Sequence, residues 1–166
     1  TRRQRQMCIR DSIKRRVYDI AAITPKSVKV KWNSNVVPVK QFQQFADYFI
    51  GSKGDVKRIY EEANNRWEYV VCVSPTGEFQ HVSFVNGIFT ANGGKHVDYI
   101  LNQIVRKMTT LIKKKKHIDV KPNTIKEQIM LFLRCDINNP AFDSQTKDHL
   151  NTPVSKFGSS CTVSDG

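Results

Sequence analysis

The sequence predicts a mixed α/β domain in which one long amphipathic helix packs on a mixed β-sheet. Three observations carry this. Val97, Ile100, Leu101, Ile104, Val105, Met108, Leu111 and Ile112 recur at intervals of three and four residues, with Asp98, Asn102, Arg106 and Lys107 on the opposite face. Residues 129–133 form a continuous apolar run, as expected of a strand covered on both faces. Residues 67–74 and 80–85 read as strands separated by the turn signal Pro75-Thr76-Gly77. Strand, long helix and buried strand in that order make a βαβ unit.

The remaining elements follow from the N-terminus. Residues 2–12 back-translate in one frame into a string that resembles a transposase-based sequencing adapter. Residues 1–12 are therefore set aside as foreign to the natural chain, whose gene is expected to be cut short at this end. Residues 13–20 read as the tail of a helix, broken at Thr24-Pro25 because proline has no amide donor and restricts its neighbour. Residues 28–32 and 36–39 form a predicted hairpin around Asn33-Ser34-Asn35. Residues 41–50 carry Phe42, Phe45 and Phe49 at helical spacing, a predicted core stripe, and Gly51 and Gly54 supply the stop. Residues 57–62 are the weakest strand. In 67–74, Trp67, Tyr69, Val71 and Val73 share one face and Val70 and Cys72 the other, which predicts a half-buried strand with Trp67 in the core. With 80–85 returning antiparallel, the three strands form a small β-meander. A basic linker joins the long helix to 129–133.

Composition narrows the function classes. Hydrophobic residues are 39% and charged residues 25%, which is globular rather than disordered. No apolar run approaches the ~20 residues that span a bilayer, and no membrane partner is expected. Cys8, Cys72, Cys135 and Cys161 lie far apart without CxxC spacing, so neither a zinc site nor a disulfide framework is indicated. A net charge of +12 points to an anionic partner, nucleic acid above all. Setting aside residues 1–12 removes four arginines and one aspartate and leaves +9, which is still basic.

Several segments resemble the type IIA DNA topoisomerase family. Arg15-Arg16-Val17-Tyr18-Asp19-Ile20-Ala21 is similar to the closing helix of its ATP-binding domain. Val82-Ser83-Phe84-Val85-Asn86-Gly87 and Asn92-Gly93-Gly94-Lys95-His96-Val97-Asp98-Tyr99 resemble the strand, turn and helix start of its transducer. Asn139-Pro140-Ala141-Phe142-Asp143-Ser144-Gln145-Thr146-Lys147 resembles its Gln-Thr-Lys loop, and Lys156-Phe157-Gly158-Ser159 matches further on. These segments occur in family order, which is far more specific than any one alone. The long helix ending in four lysines resembles the eukaryotic and large-virus branch.

The resemblance implies a transducer-type βαβ domain of ribosomal-protein-like fold over residues 25–166, its C-terminal end cut short. Residues 13–24 then form the tail of a GHKL ATP-binding domain. It implies that Lys147 contacts the γ-phosphate of ATP and acts catalytically, with Gln145 and Thr146 alongside, since an ammonium suits charge developing on a phosphate oxygen. Outside this context, Gln-Thr-Lys is an ordinary solvated loop tripeptide. It also implies that Lys113, Lys114, Lys115 and Lys116 bind double-stranded DNA. A lysine run has no base-reading geometry, so phosphate contact is expected; cations at a helix C-terminus are favourable in any case.

Gly93-Gly94 lacks the spacing of a phosphate-binding loop and reads as a turn into the helix, and His96 beside it as a structural histidine. No metal site is expected in the chain itself. The general base, the Mg²⁺-binding asparagine, the ATP lid, the cleaving tyrosine and its acidic cluster belong to the family's other segments. The fragment is therefore expected to be inactive alone. Its complete enzyme would use ATP and Mg²⁺, act as a homodimer with its own ATP-binding and cleavage domains, and reside in the nucleus, or in a cytoplasmic viral factory if viral. Two other readings remain open on sequence: a basic RNA- or DNA-binding module of ribosomal type, and a mismatch-repair or gyrase-type GHKL ATPase.

Overall fold

The computed structural model describes residues 2–52 and 54–164, with side chains from Asp11 onward. The chain forms two compact units, Thr1–Ser52 and Lys53–Gly166. In the first, helix α1 spans Arg2–Ile23. Most of the segment set aside as foreign thus lies within a helix, and its side chains to Arg10 and residue Thr1 fall outside the described part. The helix stops where the sequence placed the break: both the amide and the hydroxyl of Thr24 donate to the Ile20 carbonyl, at 3.0 and 2.6 Å, and Pro25 cannot continue.

Strands β1 (Lys31–Trp32) and β2 (Asn35–Val36) pair across a two-residue turn. Asn33 (φ 48°) and Ser34 (φ 68°) are both left-handed, as a hairpin turn of matching twist requires. The hairpin is shorter than the predicted 28–32 and 36–39. The Val37 amide still donates to Val30 O at 2.9 Å, but Pro38 has no amide to donate and the ladder stops there, with Val37 and Val39 buried. Helix α2 (Phe42–Ile50) buries Phe42, Phe45 and Ala46 and ends at Gly51 (φ 81°). Phe49 is 41% exposed and rests edge-on against Phe45, so the predicted aromatic stripe stops one turn early.

The second unit is built on a five-stranded sheet of β3 (Arg58–Asn64), β4 (Trp67–Val73), β5 (Gln80–Val85), β6 (Ile88–Phe89) and β7 (Ile129–Cys135). Their order is β3-β4-β7-β5-β6. β7 is central, antiparallel to β4 and parallel to β5. The predicted βαβ unit is present as β5, helix α3 (Lys95–Lys116) and β7. The predicted meander is not. β5 runs opposite to β4, but β7 lies between them, because the most apolar strand takes the position paired on both edges and covered on both faces.

The half-buried reading of β4 is corrected for the same reason. Beside the central strand it has little solvent face: Trp67, Glu68, Tyr69 and Val70 are all buried. Glu68 tolerates burial through an ion pair with Arg134 at 3.1 Å and a 2.7 Å hydrogen bond from the Tyr60 hydroxyl. Trp67 is core, as predicted, packed on Tyr99 and Phe157.

In α3 the sheet-facing stripe holds for Val97, Ile100, Leu101, Ile104 and Val105, whereas Met108 and Leu111 are 40% and 49% exposed. A 22-residue helix is about 33 Å long and a seven-residue strand about 24 Å, so the helix outruns the sheet. Its distal apolar residues open onto a groove shared with Ile59 and Val71. The predicted linker contains a further short helix, α4 (Pro122–Glu127). Pro122 sits where its missing amide costs nothing, and Ile125 is buried.

Candidate functional site

Gln145, Thr146 and Lys147 lie at the tip of a loop with two fixed arms. Phe142 bridges Leu150, the Asn151 amide donates to Ala141 O at 2.8 Å, and the Ala141 amide donates to Thr152 Oγ1 at 2.7 Å. At the tip, the Lys147 amide donates to Ser144 O at 3.1 Å with Lys147 in the left-handed region (φ 61°). The hydroxyls of Ser144 and Thr146 lie 2.7 Å apart, and Thr146 Oγ1 donates to Asp148 Oδ2 at 2.5 Å. Thr146 therefore shapes the turn. Gln145 and Lys147 are exposed, without a side-chain partner among the described residues. The tip offers an amide and an ammonium to solvent, a donor set suited to phosphate oxygens.

The loop is seated on the start of α3. The Asn92 amide donates to Asp148 O at 2.9 Å, the Leu150 amide to Gly93 O at 3.0 Å, and the Lys95 amide to Leu150 O at 3.1 Å. Gly94 (φ 132°) lies flat against Leu150, where a Cβ would fall 2.5 Å from its backbone nitrogen and oxygen. The sequence reading of Gly93-Gly94 as an entry turn holds, and the structure adds its second task, docking the loop. That task left no local signal, since its partner Leu150 is remote in sequence.

His96 is fully buried beneath this junction, with Nε2 3.2 Å from Thr90 Oγ1, itself 2.6 Å from Ser83 Oγ. Burial, with His81 and His149 nearby, pushes its imidazole down to about 3. It is a neutral structural residue, as its sequence context indicated. Because the unfolded imidazole titrates near 6.5, its contribution to stability is complete above that pH and is lost as pH falls toward 3. Urea unfolding at pH 7 and pH 5 should differ by about 2 kcal/mol from this group. His96→Gln should flatten the dependence by that amount, and an unchanged pH slope in the variant would contradict it.

Lys113, Lys114, Lys115 and Lys116 form the exposed last turn of α3, closed by His117 in the left-handed region (φ 57°). Lys113 Nζ lies 2.9 Å from Asp119 Oδ1, with both side chains well exposed, so water and salt keep the pair weak. The structure does not bring the lysines to the Gln145–Lys147 tip. It places the two candidate sites at opposite ends of one helix about 33 Å long.

Three of the five tyrosines are structural donors. Tyr60 donates to Glu68, Tyr69 to Glu61 and Tyr99 to Cys161 O, and burial with the adjoining carboxylates pushes the Tyr60 and Tyr69 hydroxyls up, opposite to a nucleophile's need. Cys72, Cys135 and Cys161 are buried free thiols, and burial raises all three. Among the described residues no three His, Cys, Asp or Glu side chains gather as a metal site.

A family model described as DNA gyrase B matches residues 27–166. The chain belongs to the DNA gyrase B family. Its similarity to eukaryotic members agrees with the branch the lysine-ended helix indicated. It is 44% identical to DNA topoisomerase 2-alpha of Sus scrofa over 158 residues, covering 91% of this chain and 10% of that protein. The ATPase region of Saccharomyces cerevisiae topoisomerase II superposes with a TM-score of 0.80 at 39% identity, over 91% of this chain and 38% of that one. The ATPase and transducer domains of Balamuthia mandrillaris DNA topoisomerase II superpose at 0.82 with 36% identity, over 92% and 38%. The chain thus spans about a tenth of the length of its curated gyrase B-family relatives.

Proposed function

We propose that this chain is the transducer module of an ATP-dependent type IIA DNA topoisomerase, coupling ATP binding and hydrolysis to dimerisation of a gate and passage of one duplex through another. One observation carries this reading: the exposed Gln145–Lys147 tip is seated on one end of α3, and the four lysines form its other end. In this reading Lys147 donates to the γ-phosphate of ATP held by the protein's own ATP-binding domain, with Gln145 beside it and Thr146 holding the turn. Mg²⁺ would be held by residues outside the described part. The complete enzyme is a nuclear homodimer with its own cleavage domain, and its substrate is double-stranded DNA.

The energies are of the right size. One charge-assisted contact contributes about 1.5–3 kcal/mol, so two protomers supply about 3–6. Moving an equilibrium from 1:99 to 99:1 takes about 5.5 kcal/mol. Binding at Lys147 can bias a gate, and loss of the phosphate releases it.

The lysine end is tested by salt. Changing residues 113–116 to glutamine keeps polarity and removes four charges. Each phosphate neutralised on duplex DNA contributes a slope of about −0.9 to log affinity against log salt. The variant of the complete enzyme should lose up to about four such units, and fewer to the extent that Lys113 is shared with Asp119. Binding should weaken alike across unrelated sequences and DNA-stimulated ATPase should fall, while DNA-free ATPase stays near wild type. An unchanged salt slope with intact DNA stimulation would make the run a solvated helix end.

A further inference from the structure

The chain leaves the sheet after β7, forms the excursion that carries Lys147, and returns to the core at Phe157. Its outgoing and returning arms meet at a narrow neck. The Asn138 amide donates to Phe157 O at 3.0 Å, and Gly158 (φ 71°) approaches Asn138 so closely that a Cβ would fall 2.1 Å from its side-chain nitrogen. One side chain from elsewhere closes this neck. Arg66, in the turn between β3 and β4, donates from Nε to Asp136 O at 3.0 Å, from Nη2 to Asn138 Oδ1 at 2.7 Å, and from Nη1 to Gly158 O at 3.0 Å. Two bonds hold the outgoing arm and one the returning arm.

Arg66 is itself fixed. Its amide accepts no freedom: it donates to Asn64 Oδ1 at 3.0 Å, and its carbonyl takes the Asp136 amide at 2.9 Å. Neighbours in the same turn add to the returning arm, Asn64 Nδ2 donating to Ser160 O at 3.1 Å and Trp67 Nε1 to Ser159 Oγ at 2.7 Å. A planar guanidinium reaches three acceptors in one plane, and a lysine ammonium on a flexible stem cannot reproduce that fork.

We propose that Arg66 is a positioning residue for Lys147: by closing the neck between Asp136–Asn138 and Gly158, it holds the loop so that the ammonium meets the γ-phosphate. This rests on the nucleotide role proposed above for Lys147. Misplacing a reacting group by about 1 Å can cost on the order of a hundredfold in rate, and a loosened neck is a milder defect.

The test uses the complete enzyme and four variants: Arg66→Ala, Arg66→Lys, Lys147→Ala and the Arg66→Ala/Lys147→Ala double. Arg66→Ala should lower kcat for ATP about tenfold with KM changed less than about twofold. Arg66→Lys, which keeps the charge and is the milder change for folding, should fall nearly as far. The double variant should turn over like Lys147→Ala alone, because a residue acting through Lys147 has nothing left to act on. Hydrogen exchange should quicken at the amides of Asn138, Leu150 and Asn151 in both Arg66 variants while the β4–β7 ladder stays protected. If Lys147→Ala is slow but the Arg66 variants keep wild-type kcat and exchange, the inference fails. It fails equally if Arg66→Ala slows the Lys147→Ala background by its full factor. A Lys147→Ala enzyme of wild-type turnover instead overturns the nucleotide role, and the inference with it.

Discussion

Replacing Lys147 by alanine in the complete enzyme is expected to lower ATP turnover roughly a hundredfold, the loss that would follow removal of one preorganised donor from developing charge. Stability should be nearly untouched. Lys147 is exposed, has no side-chain partner among the described residues, and contributes to its turn through the backbone, which alanine keeps. Exposed substitutions of this kind stay within about 0.5 kcal/mol. The left-handed φ of 61° strains lysine and alanine alike, so the comparison isolates the ammonium. Lys147→Arg should retain part of the rate, since charge remains while a point contact becomes a fork. Steady-state ATPase and a thermal melt on the same preparations separate the effects. Wild-type turnover in Lys147→Ala, or a melt that falls with the rate, would refute the assigned role.

Gly94→Ala is expected to be the most damaging single-methyl change in the second unit. The added Cβ falls 2.5 Å from both the nitrogen and the oxygen of Leu150, and backbone cannot swing aside as a side chain can. The residue also sits at φ 132°, a region that L side chains rarely adopt. Strain of that kind contributes about 1–3 kcal/mol by itself, and the clash must add to it by parting the Leu150 strut from the α3 entry. A loss of roughly 3 kcal/mol or more is expected, with quickened exchange at the Asn92, Lys95 and Leu150 amides. Gly77→Ala is the control: its φ of 73° is also left-handed, but nothing lies within 4 Å of the new methyl, so only about 1–2 kcal/mol should be lost. Equal losses at the two glycines would contradict the docking role of Gly94.

Much of the fold was legible because its signals are local. The α3 stripe, the apolar β7 run, the Asn33-Ser34 turn and the Gly51 stop each state their structure within a few residues. What was missed is long-range. Nothing in residues 67–85 tells that β7 will insert between β4 and β5, so a meander was the economical reading. Phe49, Met108 and Leu111 continue their helical periods correctly; Met108 and Leu111 are exposed because the sheet that α3 packs on ends before the periodicity does. The candidate site divides the same way. Lys147 and the four lysines are candidates because of the ordered motifs that carry them, and their roles are proposals. Arg66 and Leu150 carry no pattern of their own, and the motif that contains Asn86 does not tell what its side chain holds. Asn86 exchanges two hydrogen bonds with Ile137, 51 residues away.

The most direct measurement is the structure of the complete enzyme with a non-hydrolysable ATP analogue. The account predicts Lys147 Nζ within about 3 Å of a γ-phosphate oxygen, Gln145 beside it, and the Gly93–Leu150 hydrogen bond intact. A γ-phosphate neutralised wholly by other residues, with Lys147 left in solvent, would contradict it.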